Sequence, residues 1–252
     1  MRAASEPQPG AVPTSSPEPY RAARAEAFAA WAAEALAQRE RRWVIDIGCG
    51  VGTRAARLAS AGARVLGVDE DDAALREAFR RYSGPSVTFR RAPLPRVDEP
   101  QHSFDAAVCD GMLERLADPM RLLDEIRRLL RPGGLLVLRT PNRLTASPGR
   151  TRPIDGSHAW QYTPDELFHL LRRRMGEVRM FGIWHGRRLR WVERAAGEAL
   201  PLLLDRVAPP DRAPWIRASL VGLRPGDFQI GPGDVRSAID LVAIAEARTR
   251  DA

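Results

Sequence analysis

Short apolar runs alternate with longer stretches of mixed polarity from residue 43 onwards. The short runs have the length of buried strands, and the longer stretches repeat their apolar positions at helical spacing. This pattern predicts seven strands, at 43–47, 64–68, 86–89, 104–109, 135–138, 178–184 and 239–245. It predicts helices between them, at 53–61, 72–82, 119–130 and 164–174. Strands that alternate with helices indicate an α/β fold with a doubly wound, mostly parallel sheet.

Two segments depart from this alternation. Residues 1–19 are rich in Pro, Ser and Ala and lack an apolar period, so we predict a disordered tail before one domain at 20–252. Residues 185–236 separate the last two strands and contain two predicted helices, near 189–204 and 212–221. A connection of this length is unusual in a compact domain. The helical insertion either covers a sheet edge or acts as a lid or acceptor-binding element.

Composition and net charge limit the classes of molecule that the protein is expected to bind. The net charge is +7, which is compatible with nucleic acid, but every basic residue is Arg and the arginines are scattered along the chain. We therefore predict a small-molecule or carbohydrate acceptor rather than nucleic acid. The chain has no apolar run long enough to span a membrane and no apolar core of a signal peptide, which predicts a cytoplasmic protein. Cys49 and Cys109 lack the spacing of a metal site, and no metal is predicted.

A glycine-rich loop joins the first predicted strand to the helix that follows it. Gly48, Gly50 and Gly52 let the backbone turn sharply and approach a ligand closely. The second strand ends at Asp69-Glu70, about 20 residues after the glycines, where a carboxylate can accept hydrogen bonds from ribose hydroxyls. Together the loop and the carboxylate predict a cofactor that contains adenosine.

The spacing of the glycines distinguishes between such cofactors. A dinucleotide fingerprint that starts at Gly48 needs a third glycine at position 53, where this chain has Thr53. Asp46 also precedes the loop, and a carboxylate there would repel a pyrophosphate. It suits a cationic ligand instead, and S-adenosylmethionine carries an ammonium and a sulfonium.

The segments VIDIGCGVG, VLGVDED, HSFDAAVCDGMLERLADP and IRRLLRPGGLLVLRTPNR resemble, in order and spacing, the motifs of class I S-adenosylmethionine-dependent methyltransferases over residues 42–143. The resemblance implies a Rossmann-like sheet of seven strands with the last one antiparallel, and S-adenosylmethionine as cofactor. In the family the glycines form the floor of the cofactor site, a carboxylate holds the ribose, and the end of the fourth strand lines the methionine side. The cofactor-binding residues implied here are Asp46, Gly48, Cys49, Gly50, Gly52, Asp69, Glu70, Ala92, Pro93 and Cys109.

Two positions differ from the family pattern. Relatives usually carry Gly-Asp after the third strand, and this chain has Ala92-Pro93, so adenine would rest on backbone and apolar contacts. Relatives often have Glu-His after the fourth strand, and this chain has Glu114-Arg115. A base role for that histidine therefore cannot be transferred to this protein.

The second half of the chain has a narrower resemblance. Over residues 140–247 it is similar to actinobacterial methyltransferases, some of which are associated with O-methylated polysaccharides such as methylglucose lipopolysaccharide. This implies methyl transfer to a hydroxyl of a small molecule or glycan. Alternative acceptors are an amine of a natural product or RNA, and a third alternative is a non-catalytic binding module with this fold.

A hydroxyl that attacks a methyl group needs a base within hydrogen-bond reach. His158 follows the fifth strand, on the sheet edge where ligands gather in such folds, and it is the predicted base. Asp110 leaves the fourth strand on the same edge, where it could orient the acceptor or meet the cofactor ammonium. Arg143, Arg150 and Arg152 crowd the predicted acceptor loop, where they either bind an acidic acceptor or form a solvated face. His185 follows the sixth strand as a turn residue that could touch the acceptor, and His102 and His169 are predicted surface residues.

Overall fold

The computed structural model describes residues 18–39, 42–151, 158–190 and 222–248. These residues form one eight-stranded sheet flanked by helices on both faces. The strands are β1 (Trp43–Ile47), β2 (Arg64–Asp69), β3 (Val87–Arg91), β4 (Phe104–Asp110), β5 (Leu130–Pro141), β6 (Val178–His185), β7 (Phe228–Gly231) and β8 (Asp240–Glu246). The helices are α1 (Glu18–Ala37), α2 (Thr53–Ser60), α3 (Asp72–Tyr82), α4 (Pro119–Leu129), α5 (Arg143–Ala146) and α6 (Pro164–Arg174).

The strand order across the sheet is β3-β2-β1-β4-β5-β8-β6-β7. The strands from β3 to β5 pair in parallel, whereas β8 pairs antiparallel with both β5 and β6. The prediction of a Rossmann-like, mostly parallel sheet with an antiparallel last strand is confirmed. Because β1 and β4 are sheet neighbours but not chain neighbours, the carboxyl ends of these central strands open a crevice for a ligand.

The predicted number of seven strands is wrong, because β7 adds an eighth at the edge of the sheet. This strand pairs antiparallel with β6 and lies inside the segment predicted as a helical insertion. With four residues and a terminal glycine, it is too short to show an alternation of apolar and polar positions. The predicted helix at 212–221 and most of the one at 189–204 lie outside the described residues, as does most of the predicted tail.

Two apolar cores cover the two faces of the sheet. Helices α1, α2 and α3 pack on one face, and α4 and α6 pack on the other. The N-terminal helix α1 joins the sheet through Phe28, which is fully buried, and through Trp31, whose ring meets that of Phe181 edge-on at 5.1 Å. None of the described helices combines the length and apolar character needed to cross a bilayer.

Helix starts are determined locally. Asp71 accepts hydrogen bonds from the backbone N–H groups of Ala73 and Ala74 and so caps α3. Thr163 and Glu166 form a reciprocal capping box at the start of α6. These caps fix where each helix leaves the carboxyl edge of the sheet, which is the edge that carries the site.

Candidate functional site

The glycine loop lies at the carboxyl end of β1, close to β2. The backbone N–H groups of Gly48 and Cys49 both donate to the carbonyl oxygen of Val68, at 2.9 and 3.0 Å. Gly48 has a φ of +68°, and a Cβ at this position would lie 2.5 Å from Cγ of Met112. Gly52 has a φ of +83°, and its Cβ would lie 2.9 Å from that of Ala78. Both positions therefore need glycine, for conformation and for space.

Asp69 ends β2 beside this loop. Its Oδ2 accepts a hydrogen bond from the Gly50 N–H at 2.8 Å, and its Oδ1 accepts one from the Asp71 N–H at 3.0 Å. Each carboxylate oxygen can accept more than one hydrogen bond, so the side chain keeps capacity for hydroxyl groups. Ala92 is buried next to it and donates its N–H to the Asp69 carbonyl oxygen. Asp69 thus joins the glycine loop to the end of β3, where an adenosine needs its contacts.

Asp46 is fully buried beneath the loop, and Arg54 of α2 compensates its charge. Arg54 Nε donates to Asp46 Oδ1 at 2.6 Å, and the same guanidinium reaches the carbonyl oxygen of Gly48. The negative charge that the sequence analysis related to a cationic ligand is thus partly compensated by Arg54, although burial still raises the pKa of Asp46. Its Oδ2 is buried and has no hydrogen-bond partner among the described residues. A place for Asp46 in the cofactor site stays a prediction.

An alternating series of carboxylates and guanidiniums crosses the carboxyl edge of the sheet. Arg54 also contacts Asp110 at the end of β4, at 3.1 Å, and Asp110 contacts Arg139 of β5 at 2.5 Å. Arg139 contacts Asp240 of β8 at 2.9 Å, and Arg24 of α1 closes the series at 3.2 Å from Asp240. We call this set, with Asp46 at its other end, the ion-pair network. It carries three positive and three negative charges and so has no net charge.

Asp110 is held in the middle of the ion-pair network. Burial would raise the pKa of its carboxyl, but Arg139 and Arg54 outweigh that effect and lower this pKa below its usual range. A carboxylate held in this way is ionised and weakly basic. Asp110 can orient neighbouring groups, and the structure does not favour it as a proton acceptor.

Glu114 lies four residues further along, in the turn between β4 and α4. Its side chain is buried, and Oε2 accepts a hydrogen bond from Thr140 Oγ1 at 3.0 Å. Burial raises the pKa of this carboxyl to about 7. From the sequence, Glu114 was predicted only as half of an altered Glu-Arg pair. The signal that could have revealed it is an acidic residue directly after the apolar Met112-Leu113, close to the end of a central strand.

His158 lies on the same edge as Glu114. The next two residues, Ala159 and Trp160, donate their backbone N–H groups to the carbonyl oxygen of Glu114 at 2.8 and 3.0 Å. Further along, Tyr162 forms a parallel bridge with Asn142 at the end of β5. The segment 158–162 is thus joined to the ends of both β4 and β5, and the half-buried His158 is brought to the edge that the sequence predicted for it.

Asn142 is a positioning residue that the sequence analysis missed. Its buried amide donates to the carbonyl oxygens of Val235, Arg236 and Ala238, and its side-chain oxygen accepts from Leu144 N–H. It thereby ties the end of β5 to the turn before β8. An asparagine in a Pro-Asn-Arg loop looks like an ordinary turn residue, and the partners are over 90 positions away.

The other predicted residues separate into two groups. The thiols of Cys49 and Cys109 are buried, and burial raises the pKa of each. Neither is therefore reactive, although their backbones flank the loop and the end of β4. Glu70 and Pro93 are exposed next to Asp69 and Ala92. Within the described part of the chain, no three His, Cys, Asp or Glu side chains gather to hold a metal ion.

The residues predicted near the acceptor loop or at the surface mostly make structural contacts. His185 Nε2 lies 2.5 Å from the hydroxyl of Tyr20 and so joins β6 to α1. Arg143 forms an ion pair with Glu166 at 2.7 Å. His169 and Arg150 are exposed, and Arg152 lies outside the described residues. His102, the remaining histidine, contacts the carbonyl oxygen of Leu130 through Nδ1.

Known proteins resemble this chain in sequence and in fold. A family model described as a methyltransferase domain matches residues 45–138. A protein of Mycolicibacterium smegmatis named "probable S-adenosylmethionine-dependent methyltransferase" is 34% identical over 212 residues, which are 81% of each chain. The ubiquinone biosynthesis O-methyltransferase of Ruegeria pomeroyi is 33% identical over 144 residues, which are 52% of this chain and 58% of that protein.

Among solved structures, an S-adenosylmethionine-dependent methyltransferase of Thermotoga maritima, described as a possible histamine N-methyltransferase, superposes with a TM-score of 0.56. The match covers 91% of this chain and 95% of that one, at 18% sequence identity. At this identity the likeness shows the fold alone, because one fold supports many reactions.

Proposed function

This chain belongs to the S-adenosylmethionine-dependent methyltransferases, and we propose that it transfers the methyl group to a hydroxyl of a small molecule or glycan. One observation carries the choice of a hydroxyl. The segment 158–162 is hydrogen-bonded to the turn after β4, so groups that can accept a proton lie on the edge next to the glycine loop. A hydroxyl needs such a group, because its proton must leave as the oxygen attacks.

The residues at the carboxyl edge fit the cofactor. A Cβ on Gly50 would meet no described atom within 4 Å, so the loop leaves open space there, and Asp69 has spare acceptor capacity for the ribose hydroxyls. The adenine would rest on Ala92 and Pro93. The backbone at Cys109 and Asp110 would line the methionine part. When bound, S-adenosylmethionine supplies an electrophilic methyl group on a sulfonium.

The protein's own groups then have three tasks. The ion-pair network holds the ends of the central strands in fixed positions, which serves the orientation on which a displacement reaction depends. The glycine loop and Asp69 orient the cofactor. His158 is the base that the sequence predicts, and Glu114 is a second proton acceptor on the same edge.

Two features support a carbohydrate as the acceptor. The resemblance to actinobacterial methyltransferases, some associated with methylglucose lipopolysaccharide, covers the half of the chain that follows β5. The indole of Trp160 is 49% exposed on the segment 158–162, and its Nε1 donates to the carbonyl oxygen of Ala117. An exposed aromatic face beside a site offers a surface on which the C–H groups of a sugar can pack.

The proposal is tested with methyl-labelled cofactor and an extract of the producing organism, fractionated into polysaccharide, small molecules, RNA and protein. We expect the label in a glycan or small-molecule fraction, as an O-methyl group identified by NMR. Label on nitrogen or in RNA would show that the hydroxyl proposal is wrong. Absence of cofactor binding by calorimetry at millimolar concentration would contradict any catalytic role.

Asp69→Ala tests the cofactor site separately. Because the ribose would lose its carboxylate, we expect the affinity for S-adenosylmethionine to fall about 100-fold, as charged hydrogen bonds are typically worth this much. The variant should still unfold cooperatively. Asp98→Ala, an exposed carboxylate after β3, is the matched control and should bind like the unmodified protein. Equal affinity in both variants would refute the ribose assignment.

A further inference from the structure

Glu114 differs from the other buried carboxylates at the carboxyl edge of the sheet, because it is not part of the ion-pair network. Asp46, Asp110 and Asp240 each contact at least one arginine. Glu114 is 2% exposed and forms no ion pair with any residue that the structure describes. A buried acid without a neighbouring cation lowers the stability of the fold, and such groups are typically found at functional sites.

Its position is close to the floor of the cofactor site. The turn that carries Glu114 begins at Gly111, and a Cβ on Gly111 would lie 3.6 Å from Glu114 Oε1. The same turn lays Met112 against Gly48 of the glycine loop. The Glu114 carboxyl therefore folds back towards the start of its own turn, close to the end of β4.

A second polar group next to Glu114 lacks a partner. Tyr162 is 9% exposed, and its hydroxyl is buried without a hydrogen-bond partner among the described residues. Buried hydroxyls are nearly always hydrogen-bonded in folded proteins. Tyr162 belongs to the segment 158–162, whose Ala159 and Trp160 N–H groups donate to the Glu114 carbonyl oxygen. Burial raises the pKa of the Tyr162 phenol, and the charges of Glu114 and Glu166 add to this effect. A ligand hydroxyl would supply the partner that Tyr162 lacks.

The charges around Glu114 come from two strands. Asp110 at the end of β4 opposes ionisation of Glu114, and Arg139 of β5 favours it less strongly. The titratable neighbours are Tyr162 and Cys109, and burial raises the pKa of each, which keeps both neutral near pH 7. Of Asp110, Cys109, Glu114 and Tyr162, Glu114 is the one whose pKa lies near 7.

We propose that Glu114, rather than His158, receives the proton of the acceptor hydroxyl, and that the O–H of Tyr162 positions the acceptor oxygen. The inference rests on the proposed function. The new bond joins the acceptor oxygen to the methyl carbon, and the carbon–sulfur bond breaks with its electron pair left on sulfur. The acceptor O–H bond breaks as well, and its proton ends on a Glu114 carboxylate oxygen. No further reactant is needed.

Glu114→Gln keeps the shape and the acceptor for Thr140 but removes the base. We expect methyl transfer to fall at least about 100-fold, the usual contribution of a general base. The affinity for S-adenosylmethionine, measured by calorimetry, should stay within about twofold, because Glu114 is not placed against the cofactor. A rate within about threefold of the unmodified protein would overturn the proposal.

Three further variants separate catalysis from structure. The rate of methyl transfer should fall less than about tenfold in His158→Asn. If it falls more in His158→Asn than in Glu114→Gln, His158 rather than Glu114 is the base. Thr140→Val removes the hydrogen bond to Oε2 but keeps the carboxyl, so a loss equal to that of Glu114→Gln would mean a structural role. Tyr162→Phe should raise KM more than it lowers kcat, whereas an unchanged KM would contradict the positioning role.

The protonation state of the Glu114 carboxyl can be measured without turnover. Infrared difference spectra between pH 5 and pH 9 should contain a buried carboxyl band that titrates near pH 7 and is absent in Glu114→Gln. If the band is absent from the unmodified protein, the inference about Glu114 fails. If the band is present but the labelled product is not an O-methyl group, the hydroxyl proposal fails instead.

Discussion

Asp110 and Glu114 lie four residues apart at the end of the same strand, and both are almost completely enclosed. The pKa of Asp110 is lowered and that of Glu114 is raised. Burial acts on both in the same direction, so the difference comes from the guanidiniums. Arg54 and Arg139 flank Asp110, whereas Thr140 is the described side-chain hydrogen-bond partner of Glu114.

One sheet edge therefore holds two kinds of region. On the proposed cofactor side, each buried carboxylate of the ion-pair network contacts at least one arginine, which suits a site whose task is to hold a ligand in a fixed position. On the acceptor side, around Glu114 and Tyr162, polar groups are enclosed without compensation. Uncompensated groups cost stability, and such costs are typically found where chemistry takes place.

The largest effect is expected for Arg54→Ala. Its side chain compensates two buried carboxylates, Asp46 and Asp110, and its removal leaves both inside the protein with less compensation. Breaking a buried ion pair on one side typically costs about 3–5 kcal/mol of the free energy of unfolding. Urea denaturation measures the loss directly.

Arg57→Ala is the matched control for Arg54→Ala, because Arg57 lies on the exposed side of the same helix. Its removal should cost less than about 0.5 kcal/mol. If the two arginines cost the same, the ion-pair network does not compensate buried charge in the way described, and the contrast with Glu114 loses its basis.

The second largest effect is expected in how the free energy of unfolding depends on pH in Glu114→Gln. A carboxyl whose pKa is about 7 in the folded protein and 4.5 otherwise stabilises the fold fully below pH 4.5. That stabilisation is lost as the pH rises through 7. From pH 4.5 to pH 8 the unmodified protein should therefore lose about 3 kcal/mol relative to Glu114→Gln, measured by urea denaturation at each pH.

Asp110→Asn provides the opposite sign. The folded-state pKa of Asp110 is lowered, so its contribution is present above pH 3.8 and is lost as the pH falls through the lowered pKa. Relative to Asp110→Asn, the unmodified protein should gain stability on going from acid to neutral pH. Shifts of the same sign in both variants would mean that the pKa values of Asp110 and Glu114 are not displaced in opposite directions.

The cofactor side could be predicted from sequence because its residues are close together along the chain. The glycines, Asp69 and the capping Asp71 lie within one strand–helix–strand unit, where turn geometry and strand ends follow from local composition. Even there, the compensation of Asp46 by Arg54 was missed. Arg54 follows the loop by two residues on a helix, and a sequence pattern does not tell which side of that helix faces inwards.

The acceptor side could be predicted only in outline. His158 was assigned to the correct edge because the order of strands determines which loops meet there. The contacts that complete this side join Glu114 to Thr140, Asn142 to the turn before β8, and the segment 158–162 to β4. These pairings join residues that are 26 or more positions apart, and the local pattern of apolar and polar residues does not predict such contacts. For the same reason β7 was missed, since its pairing with β6 defines it more than its four residues do.

The smallest effect is expected at the outer end of the ion-pair network. Arg24 of α1 is 14% exposed and contacts Asp240, which keeps its second partner, Arg139, when Arg24 is removed. Arg24→Ala should therefore cost at most about 1 kcal/mol of the free energy of unfolding, the upper end of what a partly exposed ion pair contributes. Glu26→Ala, an exposed residue of the same helix, controls for the change in helix composition and should cost less. A loss at Arg24 as large as that at Arg54 would mean that the six charges act as one cooperative unit, and that the helix α1 is as strongly coupled to the cofactor side as α2 is.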